Sequence, residues 1–323
     1  MVTLALPAST TAILDVGAYL PAASEPVEEV LLRNGVPERE RANYRTFFGF
    51  GEVRREPGRP LEEQLADAAR PLLDRTTPGS IRYVIHAPTV QFTAPYPEAV
   101  TARVAAMLGL DGAVPLALSQ HACASALLAV EAAGLLLEHA GPGGQALVLA
   151  GEKTFRGEGE IIEGSAVMGE GTAAVLVGRG AGDRMLTTAT RTLGGFHEAP
   201  FLAVEAERAF TVAYVEALAG VIGDALEDAG LAAGEVDHVF GHNVNRMSWL
   251  RVRRRLGLGD VIRLGGQATR GHCFGADPFI AWHENRERLR PGDRYLLVAA
   301  GLGATLTAAL FEHAGSRRPE EAS

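Results

Sequence analysis

The chain has 323 residues, 47% hydrophobic and 21% charged, the composition of a globular protein long enough for one large core or two units of about 150 residues. Its 30 Lys+Arg against 39 Asp+Glu give 30 − 39 = −9, which argues against non-specific binding to nucleic acid or to an anionic membrane. Two cysteines make no disulfide framework, and no stretch approaches the ~18 consecutive apolar residues of a membrane span. The N-terminal MVTLALPASTTAILDVG lacks the basic residues and cleavage pattern of a signal peptide, so a cytoplasmic protein is expected.

In chain order, the periodicity predicts a helix over 61–75, a strand over 81–87, a helix over 97–110, a helix over 123–138 and a strand over 145–151. The same series is predicted again over 208–229, 236–241, 246–257, 274–288 and 294–300. Three matches link the two series. GPGGQALVLAG (141–151) resembles RPGDRYLLVAA (290–300), with Pro142 and Pro291 149 residues apart. LGL at 108–110 recurs at 256–258, and SIRYVIHAPT (80–89) resembles EVDHVFGHNV (235–244). Two related halves, 1–178 and 179–323, are expected to pack as one compact unit of helix-covered sheets. The C-terminal GSRRPEEAS reads as a disordered polar tail. RVRRR at 251–255 reads equally as a solvated helix face or as a surface for phosphates or an acidic carrier protein.

Chemistry-bearing residues fall at the joints of this pattern. In SQHACASALLAVEAAG (119–134), Cys123 precedes a helix that is apolar on nearly every side and therefore buried, and at such a helix start the macrodipole favours the thiolate. A packed core cysteine is the commoner fate of that residue type, and on this stretch alone both readings stand. The offset of 149 carries Cys123 onto His272 in RGHCFGADPF, so a pseudo-twofold packing of the halves is expected to bring thiol and imidazole together. His242 and Asn245 form a polar cluster after the strand 236–241, where α/β proteins place their chemistry. VAAGLGATLTAAL (298–310) reads as strand, Gly-Leu-Gly corner, strand.

Taken together these residues resemble the thiolase-fold condensing enzymes, most closely ketoacyl-ACP synthase III, over nearly the whole chain. ILDVGAYLP matches the family's opening strand, Tyr96-Pro97 the pair that precedes the nucleophile, and HACAS the nucleophile itself. MGEGTAAVLVG (168–178) matches a Gly-rich turn and strand, His242 and Asn245 the His-x-x-Asn motif, and Gly301 and Gly303 the closing hairpin. The resemblance implies a five-layered α-β-α-β-α sandwich of duplicated halves. It implies acyl-CoA or acyl-carrier-protein thioesters as substrates, with no tightly bound cofactor, no metal and a homodimer. Two departures stand out. His272 lies where the family usually carries Asn, and RANYRTFFGFGEVRRE has no tryptophan to stack on CoA.

The resemblance further implies Cys123, His242 and His272 as catalytic residues, with the backbone N–H groups of Cys123 and Leu302 as the oxyanion hole. Tyr96, Asn245 and Asp277 are expected to contact substrate. Asp277 also reads as the carboxylate that orients a base or, in slight preference, as an acid in a helix first turn. The expected activity is capture of an acyl group on Cys123 and transfer to a second substrate in polyketide-type or fatty-acid-type biosynthesis. The alternatives are decarboxylative condensation with a malonyl thioester and, less favoured because Cys123 is present, a non-catalytic partner subunit.

Overall fold

The computed structural model describes residues 10–77, 79–90, 98–154, 159–199 and 202–315; Tyr96, Pro97 and residues 316–323 of the polar tail lie outside the described residues. Ten strands form one sheet: β1 (Thr11–Tyr19), β2 (Ile81–Ala87), β3 (Val114–Ala117), β4 (Gln145–Glu152), β5 (Gly171–Arg179), β6 (Asp183–Thr192), β7 (His238–Gly241), β8 (Ile262–Arg263), β9 (Arg294–Gly301) and β10 (Thr305–Glu312). Six helices cover it: α1 (Leu61–Leu73), α2 (Val100–Met107), α3 (Ser125–Leu137), α4 (Val204–Asp228), α5 (Arg246–Leu256) and α6 (Asp277–Asn285).

The strand order is β8-β7-β9-β10-β6-β1-β5-β4-β2-β3. Each half thus repeats one order: first, fifth, fourth, second, third. The directions repeat as well. β4–β2–β3 and β9–β7–β8 are parallel, whereas β1–β5–β4 and β6–β10–β9 are antiparallel. The parallel pairs require crossover connections, which the helices provide. The halves join where β1 meets β6, through Ala12↔Arg184 and Ile13↔Asp183.

The strands are apolar on both faces because helices cover both. In β4, Leu147 and Leu149 pack outward with Leu65 and Leu72 of α1, while Val148 and Ala150 pack inward with Leu127 and Val130 of α3. In β9, Leu296 and Val298 pack outward with Leu218 and Ile222 of α4 and Trp249 of α5, while Tyr295 and Leu297 pack inward with Phe279 and Ile280 of α6. The layers are therefore α1/α2, sheet half, α3/α6, sheet half, α4/α5, the expected thiolase-like sandwich. Glu205–Asp228 of α4 has the length and apolar character of a membrane span by composition, yet its apolar face is committed to β10 and β6.

The predicted correspondence between the halves needs one correction. A 3₁₀ turn precedes each central helix, at Ala122–Ala124 before α3 and at Phe274–Ala276 before α6. Ala122 (φ 47°) and Phe274 (φ 54°) both sit in the left-handed region, so the structural offset here is 274 − 122 = 152. Cys123 therefore corresponds to Gly275, and His272 lies two residues ahead of the turn. The offset of 149 holds for the strands β4 and β9 because the second half is three residues shorter between helix start and strand.

The corner between β9 and β10 docks against the turn that carries Cys123. A Cβ on Gly301 would overlap the His121 carbonyl oxygen and press on Ala122. Gly301→Ala is expected to lower stability by about 1–3 kcal/mol, the usual scale for overpacking, as read by denaturant unfolding.

Candidate active site

Cys123 lies in the 3₁₀ turn two residues before α3, and it is buried. The turn is held locally: the backbone N–H of His121 donates to Ser125 Oγ (3.1 Å) and that of Ala124 to the His121 carbonyl (2.9 Å). Thr89, just beyond β2, places its hydroxyl 3.6 Å from the sulfur. Met168, Phe274 and the half-buried Ile162 pack around the thiol as a small apolar cluster.

His272 comes from the second half, but the first half fixes its backbone. Its N–H donates to the Val167 carbonyl, and its carbonyl accepts from the Gly169 N–H, both at 2.9 Å. The MGEG turn is thus the clamp on the histidine. Gly271 before it has φ 79°, and a Cβ there would press on the Val167 carbonyl, so glycine is required.

The Nδ1 of His272 meets Asp277 Oδ2 at 2.5 Å, which leaves Nε2 as the nitrogen able to serve the Cys123 thiol, near enough to favour charge on the ring. Asp277 is fully buried, and its carboxylate also accepts from the backbone N–H groups of Asn243 (2.6 Å) and Cys273 (3.0 Å). Burial opposes charge on His272, yet the carboxylate beside it and the contact with Cys123 prevail and push its pKa up to about 10. Burial would likewise raise the pKa of Asp277, but the imidazolium and the N–H donors hold it below the ordinary value. The two are therefore an imidazolium–carboxylate pair at neutral pH. Its contribution to stability falls away as pH rises through about 10, and also toward acid, where the carboxylate takes up a proton.

His242 follows β7 and is fully buried, with its ring centroid 6.4 Å from that of His272. Its Nδ1 lies 3.3 Å from the Val298 carbonyl, its Nε2 2.6 Å from the Tyr214 hydroxyl, and its own carbonyl accepts from Trp249 Nε1. Burial, reinforced by the charge on His272, pushes its pKa down to about 4, so this ring is neutral.

Cys123, His242, His272 and the Leu302 corner thus converge, whereas Tyr96 lies outside the described residues. Two residues expected to contact substrate have protein partners. Asn245 caps α5, accepting from the Met247 N–H (2.9 Å) while its amide reaches the Gly164 carbonyl (3.4 Å). Asp277 does open a helix, as preferred from sequence, but it sits sealed behind His272 and touches the ring instead of substrate. The other cysteine, Cys273, is fully buried, and burial pushes its thiol pKa well up. Among the described residues no group of three or more His, Cys, Asp or Glu is arranged to hold a metal ion.

Residues 226–313 match the family model for the 3-oxoacyl-[acyl-carrier-protein] synthase III C-terminal region. No curated protein matches the chain. Among solved structures, the chain is similar to ChlB3, described as an acyltransferase, with 20% identity, 95% of this chain and 98% of that one covered, and a TM-score of 0.80. The 3-oxoacyl-[acyl-carrier-protein] synthase III of Aquifex aeolicus VF5 is 22% identical over 94% of this chain and 100% of that one, with a TM-score of 0.77. The fold is that of ketoacyl-ACP synthase III. The priming β-ketosynthase of the R1128 polyketide pathway shares it, at 21% identity over 98% of this chain and 100% of that one, with a TM-score of 0.79.

Besides Tyr214, sequence reasoning missed three residues of this site. Asn243 ties the loop after β7 to the histidine segment, donating to the Gly265 (3.1 Å) and Gly271 (3.0 Å) carbonyls. It lies inside the same HNVN cluster, so residue type was a usable signal. Thr89 had none. Glu152 ends β4 almost fully buried, and its Oε1 accepts from the backbone N–H groups of Thr89 and Val90, which pins the loop that carries Thr89. A lone glutamate closing an apolar strand was its signal.

Burial raises the Glu152 pKa to about 7 against those two donors, and its Oε2 has no hydrogen-bond partner. A carboxyl raised in the folded state binds more protons folded than unfolded. Stability therefore falls as pH rises from its ordinary range, near 4.5, through about 7. Glu152→Gln keeps an acceptor for both N–H groups without the charge. It is expected to raise the melting temperature at pH 8, with the gain shrinking by pH 5, as measured by calorimetry.

Proposed function

We propose that the chain is an acyltransferase of ketoacyl-ACP synthase III type, in which Cys123, His272 and Asp277 act as a nucleophile, acid–base and orienting triad. The observation that carries this reading is His272 standing between the Cys123 thiol and the buried Asp277 carboxylate. An asparagine at that position could donate a hydrogen bond but could not take a proton; histidine with a carboxylate behind it can do both.

The proton accounting closes over two half-reactions. The Cys123 thiolate attacks the thioester carbonyl, and the oxyanion is met by backbone N–H groups, for which we assign Cys123 and Leu302. The tetrahedral adduct expels the donor thiol, which leaves with the proton of the His272 imidazolium. His272 is now neutral and Cys123 carries the acyl group. His272 then removes the proton of an attacking hydroxyl or amine, the new C–O or C–N bond forms, and the C–S bond breaks. Thiolate and imidazolium are restored. Asp277 keeps its charge throughout and makes the imidazolium the resting state.

Met168, Phe274 and Ile162 beside the sulfur offer a small apolar seat for the acyl group. For the donor we favour a carrier protein: Arg251, Arg254 and Arg255 are exposed along α5, although Arg255 also pairs with Glu216. Polyketide-type secondary metabolism is the setting we propose, supported by the triad and by the likeness in fold to ChlB3, an acyltransferase, and to the R1128 priming ketosynthase.

Incubation with an acyl thioester is expected to add one acyl mass to the wild type and none to Cys123→Ala; unchanged labelling of the alanine variant, or labelling at Cys273, refutes the assignment. His272→Asn is expected to slow discharge of the acyl-enzyme by roughly 10²-fold or more, the scale of a lost general base. Asp277→Asn leaves the imidazolium unpaired; it is expected to shift the alkaline limb of the rate profile to lower pH and to lower stability by about 3–5 kcal/mol. Carbon dioxide release from malonyl thioesters, retained in His272→Asn, would establish condensation instead.

A homodimer is also proposed. Strand β3 ends the sheet, and Val114 on it is exposed, an open edge that pairing with a second copy would cover. Light scattering at micromolar concentration is expected to give twice the chain mass; a monomer contradicts the proposal.

A further inference from the structure

The Tyr214–His242 pair has no part in the triad, yet it faces the same centre. The Val298 carbonyl can only accept a hydrogen bond, so the Nδ1 of His242 carries the ring hydrogen. The ring is neutral, since burial and the nearby imidazolium disfavour a second proton. Its Nε2 is therefore a lone pair, and the Tyr214 hydroxyl 2.6 Å away is the donor. No N–H of His242 remains for a substrate carbonyl. A condensing partner needs such a donor to hold the enolate of a malonyl thioester.

Tyr214 reaches the centre from α4, stacked edge-on to Phe210 (5.8 Å between centroids), which in turn contacts Phe196 (5.2 Å). Burial keeps its hydroxyl protonated, and its seat on His242 holds it 2.6 Å from a ring whose centroid lies 6.4 Å from that of His272. With its hydrogen given to His242, the phenol oxygen retains a lone pair and can only accept. The centre that would hold acyl-Cys123 thus offers a base, His272, and a hydrogen-bond acceptor, Tyr214, joined through His242. An incoming nucleophile gives one hydrogen to the base. A second donor hydrogen, at or next to the attacking atom, satisfies Tyr214; a bare carbonyl there meets lone pair against lone pair.

We propose that Tyr214 is a specificity residue that selects acceptors carrying two donor hydrogens, such as a primary amine or a vicinal diol, over single hydroxyls and malonyl thioesters. This rests on the acyl-transfer reading above and adds the class of second substrate to it. The transfer itself is unchanged: the C–S bond of acyl-Cys123 breaks, a C–N or C–O bond forms, and the departing proton goes to His272.

Two measurements test it. In the wild type, nitrogen-15 NMR of the histidines is expected to show His242 with Nδ1 protonated and Nε2 bare; a protonated Nε2 overturns the proposal without reference to activity. Next, wild type and Tyr214→Phe are loaded from an acyl N-acetylcysteamine thioester, and discharge is followed by intact mass with a primary alkylamine, a vicinal diol, a simple alcohol and malonyl N-acetylcysteamine. The amine-to-alcohol and diol-to-alcohol ratios of kcat/KM are taken within each protein, so a general loss of activity cancels. Both ratios are expected to exceed one in the wild type and to fall by about tenfold in Tyr214→Phe, the worth of one hydrogen bond, chiefly through KM. Unchanged ratios, or wild-type turnover of the malonyl thioester, overturn the proposal. Failure of the wild type to form acyl-Cys123 is a different result, one that removes the acyl-transfer reading itself.

Discussion

The buried carboxylate of Asp277 constrains everything around it. An ionised carboxylate away from water is costly unless opposite charge and hydrogen-bond donors surround it. Asp277 finds its donors on two segments: the His272 ring and the Cys273 N–H on one, the Asn243 N–H on the other. Those segments must arrive together. The loop after β7 is drawn to Gly271 by the Asn243 side chain, and the histidine segment is clamped by the MGEG turn of the other half. The ion pair therefore joins the halves as well as setting the chemistry, because neither half supplies all of its surroundings.

Two histidines in one site carry opposite protonation for a local reason. Both rings are buried and 6.4 Å apart. Burial alone drives an imidazole toward neutrality, and His242 follows that course. His272 has a carboxylate against Nδ1, and the attraction outweighs the loss of water. Once His272 is charged, it adds to the pressure keeping His242 neutral, so the difference reinforces itself. One ring is charged, while the other is neutral and held between the Val298 carbonyl and the Tyr214 hydroxyl.

The glycines at the joints show how tight the convergence is. Gly301 lets the β9–β10 corner lie directly on the His121 carbonyl, and Gly271 lets the histidine segment approach Val167. In both places a single methyl group would push apart the turn that carries Cys123, the β9–β10 corner and the His272 segment.

The sequence by itself determined what depends on neighbours along the chain. Strands covered on both faces had to be continuous apolar runs, so β2, β4, β7 and β9 were legible to within a few residues, and the repeated strand–helix order exposed the duplication. The all-round apolar α3 was legible as a buried helix, and Cys123 at its start followed. Tertiary structure decided the rest. It moved the correspondence of the halves from 149 to 152 at the central helices, since a shorter helix leaves no mark on the strand register. It tied Asn243 to the histidine segment and Asn245 to a helix start, and it made Asp277, at its own helix start, the partner of His272. It also supplied Tyr214, Thr89 and Glu152. Protonation states and the direction of hydrogen bonds arise from distances between groups tens to hundreds of residues apart, and local pattern carries no record of those distances.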